Sequence, residues 1–228
     1  MKKGLARKNV HLTLTFGSKS SRILREVNSL KKLNLVDVIE VFSMYISDAD
    51  QPEVASDNSY ISTRAFANLH VVRGIRILQY LLFLWKAFRK FCFLDLHSIH
   101  CHSLHVLPLG VLLKLLRRST FLIYDPHEME AHRVGYSKVT IFIIVRFERF
   151  WIQFADKVIT VSEPIKSWYC NTYRLDNVYV IRNLPEVFHK DQFNVNLKEY
   201  FKIDASHLLF VYQGVIDSDR GIGSLLSV

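Results

Sequence analysis

The stretch that decides the fold is SIHCHSLHVLPLGVLLKLLRRSTFLIY, Ser98 to Tyr124. Ser98 to His102 reads as a short strand. Val106 to Arg117 reads as a helix, with Pro108 in the first turn, where no intrahelical N–H is needed. Thr120 to Tyr124 is a strand again. Strand, helix and strand in so short a span imply parallel strands joined by a right-handed crossover. The same alternation extends in both directions. Upstream, Asn9 to Phe16 is a strand ending at Gly17, and Ser20 or Ser21 caps a helix running to about Lys32. That helix carries Ile23, Leu24, Val27 and Leu30 on one face. Val36 to Phe42 is a second strand, Asp48 to Ser59 a polar loop, Tyr60 to Ala65 a weak third strand and Val71 to Phe93 a long helix. Downstream come a helix from Tyr136 to Phe154 and a strand at KVITV, Lys157 to Val161. Ser162 is the N-cap of the next helix, with Glu163 and Pro164 in its first turn, and Val178 to Ile181 is another strand. The expected fold is α/β: a doubly wound, mainly parallel, Rossmann-like sheet with ligands beyond the carboxyl ends of its strands.

The chain has 228 residues, 50% hydrophobic and 22% charged, with 30 Lys and Arg against 21 Asp and Glu. That apolar fraction fills a core and excludes disorder, collagen and a disulfide scaffold. Cys92, Cys101 and Cys170 form no CxxC pair and leave one thiol over, which fits a reducing compartment. The net charge of +9 is uneven: residues 1–35 carry +8 and residues 71–120 carry +7, while residues 36–70 carry −5. Such basic segments suit nucleic acid, an anionic membrane surface or a phosphorylated substrate, and charge alone does not choose. VHLTLTF after the basic start is too short and polar for a signal peptide. The run Ile75 to Phe93 is interrupted by Arg76, Lys86, Arg89 and Lys90. It falls short of the roughly 18 uninterrupted apolar residues of a spanning helix. The expected localisation is cytoplasmic.

Four segments then line up: IYDPHE at Ile123–Glu128, ADKVITVSEPIKSWY at Ala155–Tyr169, VYVIRNLP at Val178–Pro185 and FVYQGVIDSDRGIGSLL at Phe210–Leu226. In order and spacing they resemble glycosyltransferase family 4. The resemblance implies the amino-terminal half of a GT-B fold, two Rossmann-like domains facing a cleft. It implies the acceptor mostly on the first domain, a nucleotide-sugar donor mostly on the second, and retaining, metal-independent transfer. On this reading residues 1–185 are the acceptor-side domain and 186–206 a linker. Residues 207–228, beginning with a buried strand at HLLFVY, are the start of the donor-binding domain. The carboxylate-rich donor motif lies outside this sequence, and the chain alone is expected to show little or no transfer. No cofactor is expected, the nucleotide-sugar being a substrate.

The resemblance places His127 at the family's active-site histidine. An imidazole after a strand end can hydrogen-bond a sugar hydroxyl or phosphate, whereas a loop histidine without that context is an ordinary surface residue. Asp125 is expected to cap the following turn. Glu128 is either solvated or, paired with Asp125 as an acid/base system, a substrate contact. His102 stands where the family lines the acceptor side. His97, His100, His102 and His105 invite a metal reading, and His100 and His102 share a strand face. No second carboxylate or thiolate pair completes a ligand set and Cys101 points to the opposite face, so packing is preferred and no metal is expected.

In FGSKSSR, Gly17 relieves a turn, and Lys19 and Arg22 add charge where free helical N–H groups can meet an anion. With one glycine it is no dinucleotide fingerprint, and a plain turn is an equal reading. Gly214 permits close backbone approach, and Arg220 matches a family cation against the donor diphosphate; a solvated arginine is the equal alternative. Val215 stands where many members have a second cation, and Asn183 matches an asparagine near the domain crossing.

Lys86, Arg89 and Lys90 share a face of the aromatic-rich long helix, which suits an anionic membrane bearing a lipid-linked acceptor, or is the exposed edge of a core helix. The expected function is transfer of a sugar from a nucleotide donor to a glycan or lipid-linked acceptor in polysaccharide or glycolipid biosynthesis. Peripheral contact with the inner face of the cell membrane, and no nucleic-acid partner, complete that expectation. The competing reading is a catalytically silent Rossmann-like module that docks on a membrane or partner protein.

Overall fold

The computed structural model describes residues 7–14, 21–44, 60–64, 76–132, 135–184, 196–204, 206–214 and 221–226. It divides into two compact units, Met1–Asn183 and Leu184–Val228. The first is built on seven strands: β1 (Lys8–Thr13), β2 (Val38–Ser43), β3 (Tyr60–Arg64), β4 (Ser98–Cys101), β5 (Phe121–Tyr124), β6 (Lys157–Thr160) and β7 (Val178–Val180). They pair in the order β3-β2-β1-β4-β5-β6-β7, and every pair is parallel. Five helices cover them: α1 (Ser21–Lys32), α2 (Arg76–Phe91), α3 (Leu107–Leu116), α4 (Lys138–Ile152) and α5 (Glu163–Tyr173). The order reverses between β1 and β4, so the first strand and the fourth are central neighbours. Their carboxyl ends form the crevice where a doubly wound sheet takes its ligand.

Register fixes what each face carries. Leu12 aligns with Phe42 on one side and Cys101 on the other, and His11 aligns with Val41 and His100. Neighbours in register share a face, and successive residues alternate. The Leu12 face meets α2 and α3: Val10, Leu12, Phe42, Ile99 and Cys101 join Phe83, Ala87 and Phe91 in one buried cluster. Gly110 brings α3 close, since a Cβ there would strike Cys101 Sγ and sit 2.9 Å from Leu122 Cδ1. The His11 face meets α1, where Ile23 and Val27 pack on Ile39 and Val41. The four-residue apolar stripe read in the sequence is therefore the seat of α1, although Leu24 stays half-buried. Toward β1 and β4 the same face turns polar, with Asn9, His11, Ser98 and His100 all buried. That is unusual for the middle of a parallel sheet, whose strands are ordinarily near-continuous apolar runs.

A second polar group sits in the apolar half. Glu148 of α4 is fully buried. It accepts hydrogen bonds from the hydroxyls of Tyr124 (2.7 Å), Tyr169 (2.9 Å) and Tyr173 (2.6 Å), which joins β5, α4 and α5. Burial pushes its carboxyl upward against the pull of the three donors. On β2, buried Glu40 is held by Lys8 at 2.6 Å and by Lys90 of α2. The basic trio of α2 is thus split in use: Lys90 bridges to the sheet, and Arg89 lies over the Trp85 ring at 4.8 Å.

Local signals mostly hold. Pro108 and Pro164 occupy first turns, and Ser162 is the N-cap of α5, although its hydroxyl makes no capping bond. HLLFVY differs. Residues 208–213 form no strand, and Leu208 and Phe210 are more than four-fifths exposed. A parallel strand needs a neighbour for its N–H and C=O groups, and none lies beside it among the described residues. The second unit contains two short helices, α6 (Leu197–Tyr200), capped by the Asn196 side chain, and α7 (Ile222–Leu226). No helix among the described residues is long and apolar enough to cross a membrane.

Each of Tyr124→Phe, Tyr169→Phe and Tyr173→Phe removes one donor to the buried Glu148 carboxylate. Each is expected to cost about 1.5–3 kcal/mol in urea unfolding. Three losses below about 0.5 kcal/mol would contradict the role given to Glu148.

Candidate active site

Asp125 is the first residue past β5 and is fully buried. Its backbone N–H continues the sheet by donating to Cys101 C=O at 2.9 Å. Its carboxylate faces the α1 side. There Arg22, in the first turn of α1, donates from Nε to Oδ2 at 3.1 Å and from a terminal nitrogen to Oδ1. His102, the residue after β4, places Nδ1 3.1 Å from the same Oδ2. The turn-capping role expected for Asp125 therefore gives way to an ion-paired hub. Burial by itself would raise its pKa; the His102 hydrogen bond and the charges of His102, Arg22 and His127 outweigh it and hold the carboxyl well below the usual range.

His127 lies on the solvent side of this hub. Its Nε2 is 3.4 Å from His102 Nδ1 and 3.8 Å from Asp125 Oδ2, and its side chain is 36% exposed. The ring stands edge-on to His102, with centroids 5.6 Å apart. Reachable from solvent and backed by a buried carboxylate, it can hydrogen-bond a bound hydroxyl or steady charge that develops there. Pro126 behind it is buried.

The cluster extends inward. His102 Nε2 meets His11 Nδ1 at 2.8 Å. His11 is fully buried, stacks on His102 with centroids 5.1 Å apart, and lies tilted against His100, its register partner, at 4.4 Å. Glu26, one helical turn after Arg22, accepts from Arg22 Nε at 3.1 Å and lies 3.8 Å from His100 Nδ1. Burial, then the Asp125 charge, raise the Glu26 carboxyl to about 7 against the pull of His102 and Arg22. Burial lowers His100 to about 4, and burial with the facing His100 and His102 rings lowers His11 well below its ordinary value.

Of the residues singled out in the sequence, the structure brings together Arg22, His102 and His127. Arg22 is spent on Asp125 and Glu26, so it orders the site from beneath. Glu128 is exposed and joins no hydrogen bond or ion pair of the cluster among the described residues. His97 and His105 are exposed, and the His105 carbonyl accepts from Tyr80 Oη at 2.7 Å. Asn183 accepts from Arg25 of α1, a structural tie at the end of the first unit. Gly214 is exposed in the second unit, while Gly17, Lys19, Val215 and Arg220 lie outside the described residues. The sequence reading passed over His11 and Glu26. His11 carried a signal, being the one titratable group inside an otherwise β-forming run, and Glu26 is the lone acid of a basic segment.

Replacing Asp125 tests the hub. Asp125→Ala leaves Arg22 buried without its carboxylate and is expected to cost about 3–5 kcal/mol in chemical unfolding. A loss under about 1 kcal/mol would mean that Arg22 finds water or another partner and that the hub is dispensable.

The family model described as Glycosyltransferase Family 4 matches residues 6–184. Among solved structures, a sucrose-phosphate synthase from Thermosynechococcus elongatus aligns with a TM-score of 0.54 at 13% identity, covering 77% of this chain and 48% of that one. A lipopolysaccharide outer core galactosyltransferase, WaaB in its apo form, aligns with a TM-score of 0.51 at 10% identity, covering 79% of this chain and 47% of that one. The chain thus spans about half the length of these proteins. At such identities the likeness speaks for the fold, the Rossmann-like half of a GT-B glycosyltransferase. No curated protein matches the sequence. With the family model spanning nearly all of the first unit, the chain belongs to glycosyltransferase family 4.

Proposed function

We propose that this chain forms the acceptor side of a nucleotide-sugar-dependent glycosyltransferase, acting on a glycan or lipid-linked acceptor. The observation that carries the reading is His127, held half-exposed at the carboxyl edge of the sheet and backed by the buried Asp125 and His102. An acceptor hydroxyl beside His127 Nε2 would be oriented by it, and charge developing at the reacting centre would be steadied by the carboxylate behind it. Arg22 fixes Asp125, and Asp125 fixes the rings, so little reorganisation is left for the moment of transfer. The donor would face this edge from a second Rossmann-like domain, and domain closure would exclude water. The identities of the sugar and the linkage belong to that donor side.

A membrane-borne acceptor is favoured by the outer face of α2, α3 and α4. α3 packs on both neighbours, and Leu81, Trp85, Leu115, Phe142 and Phe150 are all exposed there, with Lys86 and Arg89 alongside. Apolar side chains of that size beside cations suit the headgroup boundary of an anionic bilayer.

Two measurements test the reading. Release of nucleoside diphosphate from UDP- and GDP-hexoses with a glycan or prenyl-phosphate-linked acceptor is followed in the full-length protein. His127→Ala is expected to lower kcat about 10²–10⁴-fold; an unchanged rate would remove His127 from the reaction. Sedimentation with vesicles is expected to recover the chain on phosphatidylglycerol-containing membranes and to lose it in Trp85→Ser/Phe142→Ser. Equal binding to neutral and anionic vesicles would rule out the electrostatic part.

A further inference from the structure

The hydrogen-bond chain running inward from Asp125 ends on atoms that have nothing to bind. Asp125 is ionised and can only accept, so His102 Nδ1 carries the proton between them. His102 Nε2 in turn lies 2.8 Å from His11 Nδ1. The other ring nitrogen of His11, Nε2, lies deep in the sheet. That Nε2 has no hydrogen-bond partner, and neither do Glu26 Oε2 or His100 Nδ1; all three atoms are buried. A buried polar atom left unmatched is costly, and folded proteins hold few of them.

Geometry groups the same three residues together with His102. His11, Glu26, His100 and His102 can each offer a ligand-type atom within 4.8 Å of the others. We propose that His11 Nε2, Glu26 Oε2 and His100 Nδ1 bind a divalent transition-metal ion of the zinc type, with a fourth position open to water. Two imidazoles and a carboxylate are a donor set such ions take, at bonds of about 2.0–2.2 Å. The 3.8 Å between Glu26 Oε2 and His100 Nδ1 is within a few tenths of an ångström of the roughly 3.4 Å edge of a tetrahedral site with those bonds. Both outer ligands have supporting partners. Asp125 and His102 orient His11 in the manner of a carboxylate–histidine–metal relay, and Arg22 Nε holds Glu26 by its other oxygen.

Sequence spacing could not disclose the set, because it joins β1, α1 and β4 across the sheet. The ion would tie α1 to the two central strands beneath the hub, and no step of the transfer proposed above runs through it. The two proposals therefore stand or fall separately.

The test uses the full chain, stripped with chelator and then given Zn2+ alone. One zinc per chain by elemental analysis after gel filtration, with a rise in Tm, is the expected result. Co2+ in place of zinc is expected to give the visible absorption of a low-coordinate site. Glu26→Gln and His100→Asn are expected to lose the equivalent, while His127→Ala keeps it. Absence of stoichiometric uptake overturns the proposal, and so does uptake undiminished in a folded Glu26→Gln protein, since the ion would then sit on surface histidines. Should both variants fail to fold, the wild-type cobalt spectrum decides: no visible absorption overturns the site.

Discussion

The Arg22–Asp125 ion pair is the constraint on which the rest of the site depends. Two charges taken out of water cost several kcal/mol each, and attraction repays this only where geometry is good and the remaining lone pairs are used. Here they are used: Asp125 accepts from Nε and a terminal nitrogen of Arg22 and from His102. Because Arg22 comes from α1, Asp125 from the end of β5 and His102 from the end of β4, one interaction sets the positions of three elements at the carboxyl edge. His127 then inherits its place from two residues behind it. A rigid, charged floor of this kind is what a site needs to orient a hydroxyl without reorganising.

The same pair explains why the central sheet is polar on the α1 side. Once His102 and Arg22 enter the interior, apolar neighbours would strand their remaining hydrogen-bonding atoms. His11 meets the inner nitrogen of His102 and Glu26 meets Arg22 Nε, while Ile39 and Val41, farther out on the same face, supply the apolar seat for α1. The opposite face is conventional, with Phe83, Ala87 and Phe91 of α2 packed on Leu12 and Phe42. Even there, α2, α3 and α4 keep large side chains in solvent on their outer side.

Most of the sheet was legible because its signals are local. SIHC and FLIY are short strand-forming runs on either side of a helix with a first-turn proline, and the structure returns Ser98–Cys101, Leu107–Leu116 and Phe121–Tyr124 at nearly the expected bounds. HLLFVY carries an equally apolar signal, yet a strand also requires a neighbour, which composition does not report. The site was half legible. His102 and His127 sit at strand ends, where doubly wound sheets place chemistry. Asp125 was misjudged because an aspartate before a proline looks like a turn residue, and only the approach of α1 shows Arg22 meeting it. His11 and Glu26 are joined to His100 by the sheet register and by the rotation of α1, which no sequence spacing encodes.

The central claim is that Asp125 dictates the protonation pattern of the rings stacked beneath it. Long-range 1H–15N correlation spectra of the histidine side chains at neutral pH read that pattern directly. The account predicts that His102 carries a proton on Nδ1, donated to Asp125, and that Asp125→Asn disturbs it. A His102 ring without a proton on Nδ1, or one whose signals are unchanged in Asp125→Asn, would contradict it.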